Sequence, residues 1–169
     1  MKSERPVIHL CFFQHRQSAN FKEMIKISWT SLKVSIAGAK LSHLVQKDKI
    51  WDHGSMVEQA RIIFYLAIKI KSDAEVETLK KCCTINCFKK IEDAIKSKGG
   101  WRGPIIKNPT IKGLAIIEAN PGKNNRPDMF TALIKGVSKD ELKNIEHEFS
   151  IQCLFVRQGE WWMLDEIRS

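Results

Sequence analysis

The end of the chain constrains the fold more than any other segment. Residues 149–169 read FSIQCLFVRQGEWWMLDEIRS. Apolar and polar side chains alternate over residues 149–155 and again over residues 161–167, which is the pattern of half-buried strands. Gln158 and Gly159 interrupt the alternation, as the turn of a β-hairpin does. An apolar hairpin needs other elements to cover it, so the upstream segments are expected to pack against these strands.

Upstream of the hairpin, helical periodicity gives way to strand periodicity. Helices are predicted at residues 21–46, 55–71, 74–83 and 86–98. Strands at 111–118 and 129–137 follow, with a turn-forming loop at 120–128 between them and a polar connection at 138–144. Helices first and four consecutive strands last predict an α+β fold: N-terminal helices packed against a curved four-stranded antiparallel sheet.

Local patterns suggest where the helices begin and which faces they bury. Asn20 with Glu23 and Ser55 with Glu58 both match the capping-box spacing. The second helix has an apolar stripe at helical spacing. Its members are Met56, Ala60, Ile63, Phe64 and Ala67.

The chain has 169 residues, a length typical of one domain. Its net charge of +9 is unevenly distributed along the sequence. Residues 1–50 hold nine Lys and Arg against three Asp and Glu, and residues 51–169 hold nineteen against sixteen. A basic segment of this kind suits an anionic partner such as a phospholipid surface or RNA, although many basic segments are simply solvated. The sequence therefore divides into a basic helical segment, residues 1–50, and an α+β domain, residues 51–169.

The first predicted helix places five lysines within one arc of its surface. They are Lys22, Lys26, Lys33, Lys40 and Lys47. One interpretation is a basic amphipathic helix on anionic lipid. The other is a helix buried over a broad face, with small residues opposite the lysines allowing close approach. The second is favoured, because an interfacial helix would place apolar residues, not serine and glycine, opposite its lysines.

Five cysteines are present, and four lie in or beside apolar runs. An odd number in a chain of this length favours buried free thiols in a reducing compartment, on the cytoplasmic or mitochondrial-matrix side. Cys83 and Cys87 would share a helix face, but no histidine lies near them, so neither a metal site nor a cofactor is expected. No apolar run approaches the roughly 20 residues of a membrane span.

The order of elements and the ending resemble the nuclear transport factor 2-like superfamily of cone-shaped α+β domains, and within it the Tim-44-like family. Trp51-Asp52, Met56 through Phe64, and Cys87-Phe88 with Ile91 carry part of the likeness. Its strongest part is the ending, Phe155-x-Arg157-x-Gly159-x-x-Trp162-x-Leu164-x-Glu166-Ile167. The likeness covers about residues 51–169.

The resemblance implies a non-enzymatic adaptor with a hydrophobic pocket, peripheral at a membrane and linked to anionic lipid or to a protein-translocation complex. Candidate pocket residues are Phe64, Phe88, Phe149, Phe155, Arg157, Trp162 and Leu164. Trp162, Leu164 and Glu166 share one face of the last strand, and Trp161, Met163, Asp165 and Ile167 share the other. Ordinary core packing is the alternative for these apolar residues.

Three other interpretations stay open. Arg157 could meet a lipid phosphate or pair across strands with Glu148 or Asp165. A small-molecule isomerase or dehydratase would use His147 or Asp165 as a base, although no pair of residues at a fixed spacing compels a mechanism. An RNA- or ribosome-associated scaffold would use the lysines and the loop at 123–126 as phosphate contacts. The sequence assigns no oligomeric state.

Overall fold

The computed structural model describes residues 17–68, 73–96, 109–140 and 145–168. Within these ranges the fold is α+β, and the sheet is antiparallel and open. The helices are α1 (Gln17–Leu44), a 3₁₀ helix (Lys49–Trp51), α2 (His53–Ile68), α3 (Asp73–Cys82) and α4 (Ile85–Lys96), and the strands are β1 (Pro109–Asn120), β2 (Met129–Asp140), β3 (Ile145–Gln158) and β4 (Trp161–Arg168). The predicted α+β class is confirmed.

The four strands form a meander in the order β1-β2-β3-β4, so that each strand pairs with its neighbour in sequence. The β3–β4 turn contains Gly159 with φ +64°, a conformation that glycine adopts without steric cost. The β1–β2 loop contains Asn124 and Asn125, with φ values of 52° and 65°, and asparagine tolerates this region better than most residues. The predicted hairpin and the predicted turn are therefore confirmed.

Contacts divide the chain into two compact units, Met1–Leu32 and Lys33–Ser169. The described part of the first unit is helical. In the second unit, Ala37 and Leu41 of α1 are buried in the same hydrophobic core as the sheet. Residues 33–50 thus contribute to the folded unit that contains the sheet, and the functional division expected between residues 50 and 51 stays a prediction.

The core of the second unit is built around three aromatic rings on one face of the sheet. The Phe130 and Phe155 rings stack with centroids 4.7 Å apart, and the Trp162 indole meets Phe130 edge-on at 4.8 Å. Such offset and edge-to-face pairs stabilise a core beyond the burial of their area. Helix α2 covers this face with the stripe predicted from its sequence, and all five of those residues are buried.

A β-bulge at Asp165 changes which residues of β4 face the core. Leu164 pairs with Phe155, whereas Glu166 pairs with Leu154, so Asp165 is the extra residue between them. Beyond the bulge the alternation reverses, and Ile167 packs against the core while Glu166 does not. The predicted grouping of Glu166 with Trp162 and Leu164 is therefore wrong, because periodicity alone does not reveal an inserted residue.

Several helix starts also differ from the sequence-based prediction. Helix α1 begins three residues before Asn20, so that residue is not its cap. Helix α2 begins before Ser55, and its cap is Asp52, whose Oδ2 accepts the Ser55 N–H at 2.8 Å. The polar connection predicted to begin at residue 138 begins later, because β2 continues to Asp140; residues 141–144 lie outside the described ranges.

Two glycines in neighbouring strands test this packing. A Cβ added at Gly136 would lie 2.2 Å from the Thr110 carbonyl oxygen and 2.6 Å from the Phe149 ring. A Cβ at Gly113 would meet nothing within 4 Å. We expect Gly136→Ala to lower the free energy of unfolding by about 1–3 kcal/mol, the usual effect of overpacking, in urea titrations followed by circular dichroism. Gly113→Ala is the control and should change it by less than about 0.5 kcal/mol. Equal effects would contradict the strand register.

Candidate functional site

The apolar pocket candidates lie in the hydrophobic core of the second unit. The buried members are Phe64, Phe149, Phe155, Trp162 and Leu164, and Phe88 is half-buried against them. Their rings contact one another directly; those of Phe64 and Phe149, for example, have centroids 6.1 Å apart. These side chains therefore pack as core in this structure, and their role in holding a ligand stays a prediction.

The five lysines predicted to form a stripe are divided between the two units. Lys22 and Lys26 lie on the helical backbone of the first unit. In the second unit, Lys33 Nζ lies 3.9 Å from the Glu118 carboxylate, whereas Lys40 and Lys47 are exposed. Opposite them the helix is not broadly buried, since Ser35 and Ser42 are exposed. The expectation of a broad buried face with serines inside it is wrong.

Arg157 organises one end of the second unit. Its Nη1 donates to Asp48 Oδ2 at 2.5 Å and to Asp128 Oδ2 at 3.1 Å, and its Nε donates to the Gly159 carbonyl oxygen at 2.8 Å. Asp48 precedes the 3₁₀ helix and Asp128 ends the β1–β2 loop, so one guanidinium joins three separate segments. The structure pairs Arg157 with these two carboxylates, rather than with Glu148 or Asp165.

Backbone hydrogen bonds fix the same end of the unit. The Arg157 N–H donates to the Asp128 carbonyl oxygen at 2.9 Å, and the Gly122 N–H donates to Asp128 Oδ1 at 2.6 Å. The Trp162 indole N–H donates to the Ile50 carbonyl oxygen at 3.1 Å. The β1–β2 loop, the β3–β4 turn and the 3₁₀ helix are consequently held together.

The network also stabilises the charged forms of its members. The Ile50 N–H, and then the Arg157 guanidinium, lower the pKa of Asp48. Asp48, and then Asp128, raise the pKa of Arg157. Because Arg157 lies between two carboxylates, its own charge is not available to an external anion.

Five exposed side chains extend from the segments that Arg157 joins, and we call them the basic tip: Lys47, Lys49, Lys123, Arg126 and Trp161. The two lysines flank Asp48, the loop residues precede Asp128, and Trp161 follows the β3–β4 turn. Among the ion pairs of the described residues, none involves these four cations. With Arg157 and the carboxylates of Asp48, Asp128, Asp52 and Glu160 included, these segments hold five cations and four carboxylates, a net charge of +1.

Trp161 is the most informative member of the basic tip. It is 69% exposed, whereas its neighbour Trp162 is 2% exposed. The sequence indicated only that the two indoles lie on opposite faces, not which face is covered. Lys47 and the loop at 123–126 were recognisable from the sequence as candidate anion contacts, but nothing local indicated that Trp161 would accompany them.

The candidate catalytic residues do not form a site with one another in the described contacts. His147 is exposed, and Asp165 Oδ1 accepts the Thr84 hydroxyl at 2.9 Å. Tyr65, on α2, accepts the Ile111 N–H at 3.3 Å through its hydroxyl oxygen. Within the described residues no group of three or more His, Cys, Asp and Glu side chains could hold a metal ion.

A groove lies on the outer side of α2. It has a volume of about 430 Å³ and contains none of the predicted pocket residues. Its lining residues are Glu58, Arg61, Ile62, Tyr65, Leu66 and Glu75. Arg61 is paired with Glu58 at 3.3 Å, so part of the groove's charge is internally neutralised.

Comparisons with known proteins found no relative of the chain. No family model, no curated protein and no solved structure matches it. The resemblance to the Tim-44-like family accordingly stays a prediction from the sequence. None of the helices in the described ranges is long and apolar enough to cross a membrane. The choice of the basic tip as the candidate site is therefore supported by the structure and not by a relative.

The network at the tip predicts a specific acid dependence of stability. The folded-state pKa of Asp48 lies below its ordinary value of 3.8. A depressed carboxyl pKa stabilises the fold above the unfolded pKa, and this stabilisation is lost as pH falls through the folded pKa. We expect Asp48→Asn to unfold more easily than the wild type at neutral pH, with the difference shrinking below pH 3.8.

Urea unfolding midpoints measured across pH would show this convergence. Glu160→Gln is the matched control, because it removes a carboxylate from the same end of the unit without touching Arg157. A midpoint difference between Asp48→Asn and the wild type that stayed constant with pH would contradict the proposed ion pair.

Proposed function

We propose that the protein is a non-enzymatic peripheral adaptor that docks on an anionic phospholipid surface through its basic tip. The observation that carries this proposal is that the segments joined by Arg157 carry an exposed tryptophan and four exposed cations without an ion pair among the described residues. The principal membrane contact would then be the basic tip at the end of the sheet, and not the lysine stripe of α1.

The chemistry of the tip suits a membrane interface. Tryptophan prefers the headgroup region because its ring is apolar and its N–H is polar. Each Lys or Arg close to an anionic surface contributes about 1 kcal/mol of attraction. Arg157 with its two carboxylates supplies a rigid base, so the loops that carry these side chains need little ordering on binding.

The resemblance noted from the sequence agrees with this assignment. The nuclear transport factor 2-like superfamily, with the Tim-44-like family among its members, consists of cone-shaped α+β domains. The resemblance to the Tim-44-like family implies a peripheral adaptor. We place the protein with them as part of the proposal. A membrane protein complex, such as translocation machinery, would be the partner that the adaptor recruits.

RNA is the second candidate partner, and the same tip supports it. An exposed indole can stack on an unpaired base, and the surrounding cations can meet phosphates. The phospholipid surface is favoured because a single exposed aromatic provides one stacking position, whereas single-strand binders usually align several.

Co-sedimentation of the full chain with vesicles tests the proposal. We expect salt-sensitive binding to phosphatidylcholine vesicles that contain phosphatidylserine, and little binding to phosphatidylcholine alone. Lys123→Ala with Arg126→Ala removes two cations, which should weaken binding by about 2 kcal/mol, or about thirtyfold, at low salt. Trp161→Ala should weaken it further by removing the apolar contact.

Two double variants serve as controls. Lys135→Ala with Lys139→Ala removes the same charge from exposed positions of β2 and should have a much smaller effect. Lys22→Ala with Lys26→Ala tests the α1 stripe. Loss of binding in either control equal to that of the tip variant would overturn the assignment to the tip. Tight binding to single-stranded RNA without vesicle binding would favour the second candidate.

A further inference from the structure

Two buried thiols meet at the junction of α3 and α4, away from the residues of the basic tip. Cys83 follows the last residue of α3, and Cys87 lies in the first turn of α4. Each is 2% exposed, and both are free thiols. The Cys83 S–H donates a hydrogen bond to the Cys87 sulfur. Two hydrogen-bonded thiols form a pair rather than two isolated core cysteines.

The backbone around the pair explains why these sulfurs meet. Thr84, which follows Cys83 in the sequence, donates its N–H to the Leu164 carbonyl oxygen at 2.9 Å. Cys83 itself forms a β-bridge with Leu164. Thr84 also caps α4, since its Oγ1 accepts the Cys87 N–H at 3.3 Å. The cap turns the chain so that the residue before it and the residue three positions after it lie side by side.

The two thiols are chemically unequal. Hydrogen bonding from Cys83 lowers the pKa of Cys87, and Lys90 acts in the same direction, while burial and Asp165 oppose them. The position of Cys87 in the first turn of a helix also favours a thiolate. The pKa of Cys83 is raised, because it is the donor and is buried. Burial raises the pKa of Cys82, and raises that of Cys153 to about 12.

We propose that Cys83 and Cys87 form a redox-active pair that a small hydroperoxide converts into an intramolecular disulfide. The Cys87 thiolate attacks one peroxide oxygen and breaks the O–O bond, giving a sulfenic acid at Cys87 and an alkoxide or hydroxide, which recovers from solvent the proton that Cys87 released on ionising. The Cys83 thiol then attacks the Cys87 sulfur, forms the S–S bond and expels water. The two thiols are oxidised, and the hydroperoxide is reduced to an alcohol or to water.

Burial selects the class of oxidant. Hydrogen peroxide is little larger than water and can reach the junction through local opening. Bulky thiol reagents should instead react first with Cys82, which is half-buried and next to Cys83. The pair is therefore expected to respond to small peroxides and not to large disulfides.

Mass spectrometry of the full chain tests the pair directly. Hydrogen peroxide treatment under native conditions is followed by alkylation of the remaining thiols and digestion with trypsin. Cleavage after Lys81 and Lys89 releases residues 82–89, which contain all three cysteines of this region. The expected product has alkylated Cys82 and is two hydrogens lighter at Cys83 and Cys87, as fragment ions would show.

Variants separate the two roles. Cys83→Ser should leave a sulfenic acid at Cys87 that dimedone traps, and Cys87→Ser should slow thiol oxidation in this peptide by about tenfold or more. Cys153→Ser is the control and should form the disulfide as the wild type does. Cys83 and Cys87 both remaining alkylatable after native peroxide treatment, or a Cys82–Cys87 linkage, would overturn the proposal. The wild-type result decides this even where a variant folds poorly.

Discussion

Trp162 is the residue on which the second unit depends most. Its indole packs edge-on against Phe130 and, at 5.0 Å, against Trp51, while its N–H donates to the Ile50 carbonyl oxygen. The ring thus fills the core and the polar atom satisfies a backbone group, which is how a buried tryptophan is accommodated without an unpaired donor. Through these contacts β4 holds the segment that joins α1 to α2, so helices and sheet form one core.

Arg157 shows how the same segment is fixed from the solvent side. A guanidinium between two carboxylates and a carbonyl oxygen has most of its donors satisfied, and it orients three loops with a single side chain. Asp48 and Asp128 neutralise the charge of Arg157, so any anion that binds this end must be attracted by other cations. The four cations of the basic tip are exposed and have no ion pair among the described residues, so the fold itself does not use their charge.

The sequence predicts those parts of the fold that depend on local periodicity. The α2 stripe, the order of the strands and the final hairpin follow from spacings of two and about four residues. Arg157 and Asp48 are separated by 109 positions, and no local pattern connects them. The exposure of Trp161 likewise depends on which face of the sheet the helices cover. Lys47 and the loop at 123–126 were therefore predictable as anion contacts, but Lys49 and the exposed Trp161 on the joined segments were not.

The bulge at Asp165 links the local alternation of β4 to contacts between residues that are distant in the sequence. The extra residue reverses the alternation, so Ile167 turns toward the core, and it leaves the Asp165 carboxylate free to accept the Thr84 hydroxyl. That hydrogen bond, with the bond from Thr84 to Leu164, places the cap of α4 against the edge of β4. The cap in turn sets Cys87 beside Cys83. The inserted residue in the last strand thus helps to hold the cap of α4, and with it Cys83 and Cys87, against the sheet.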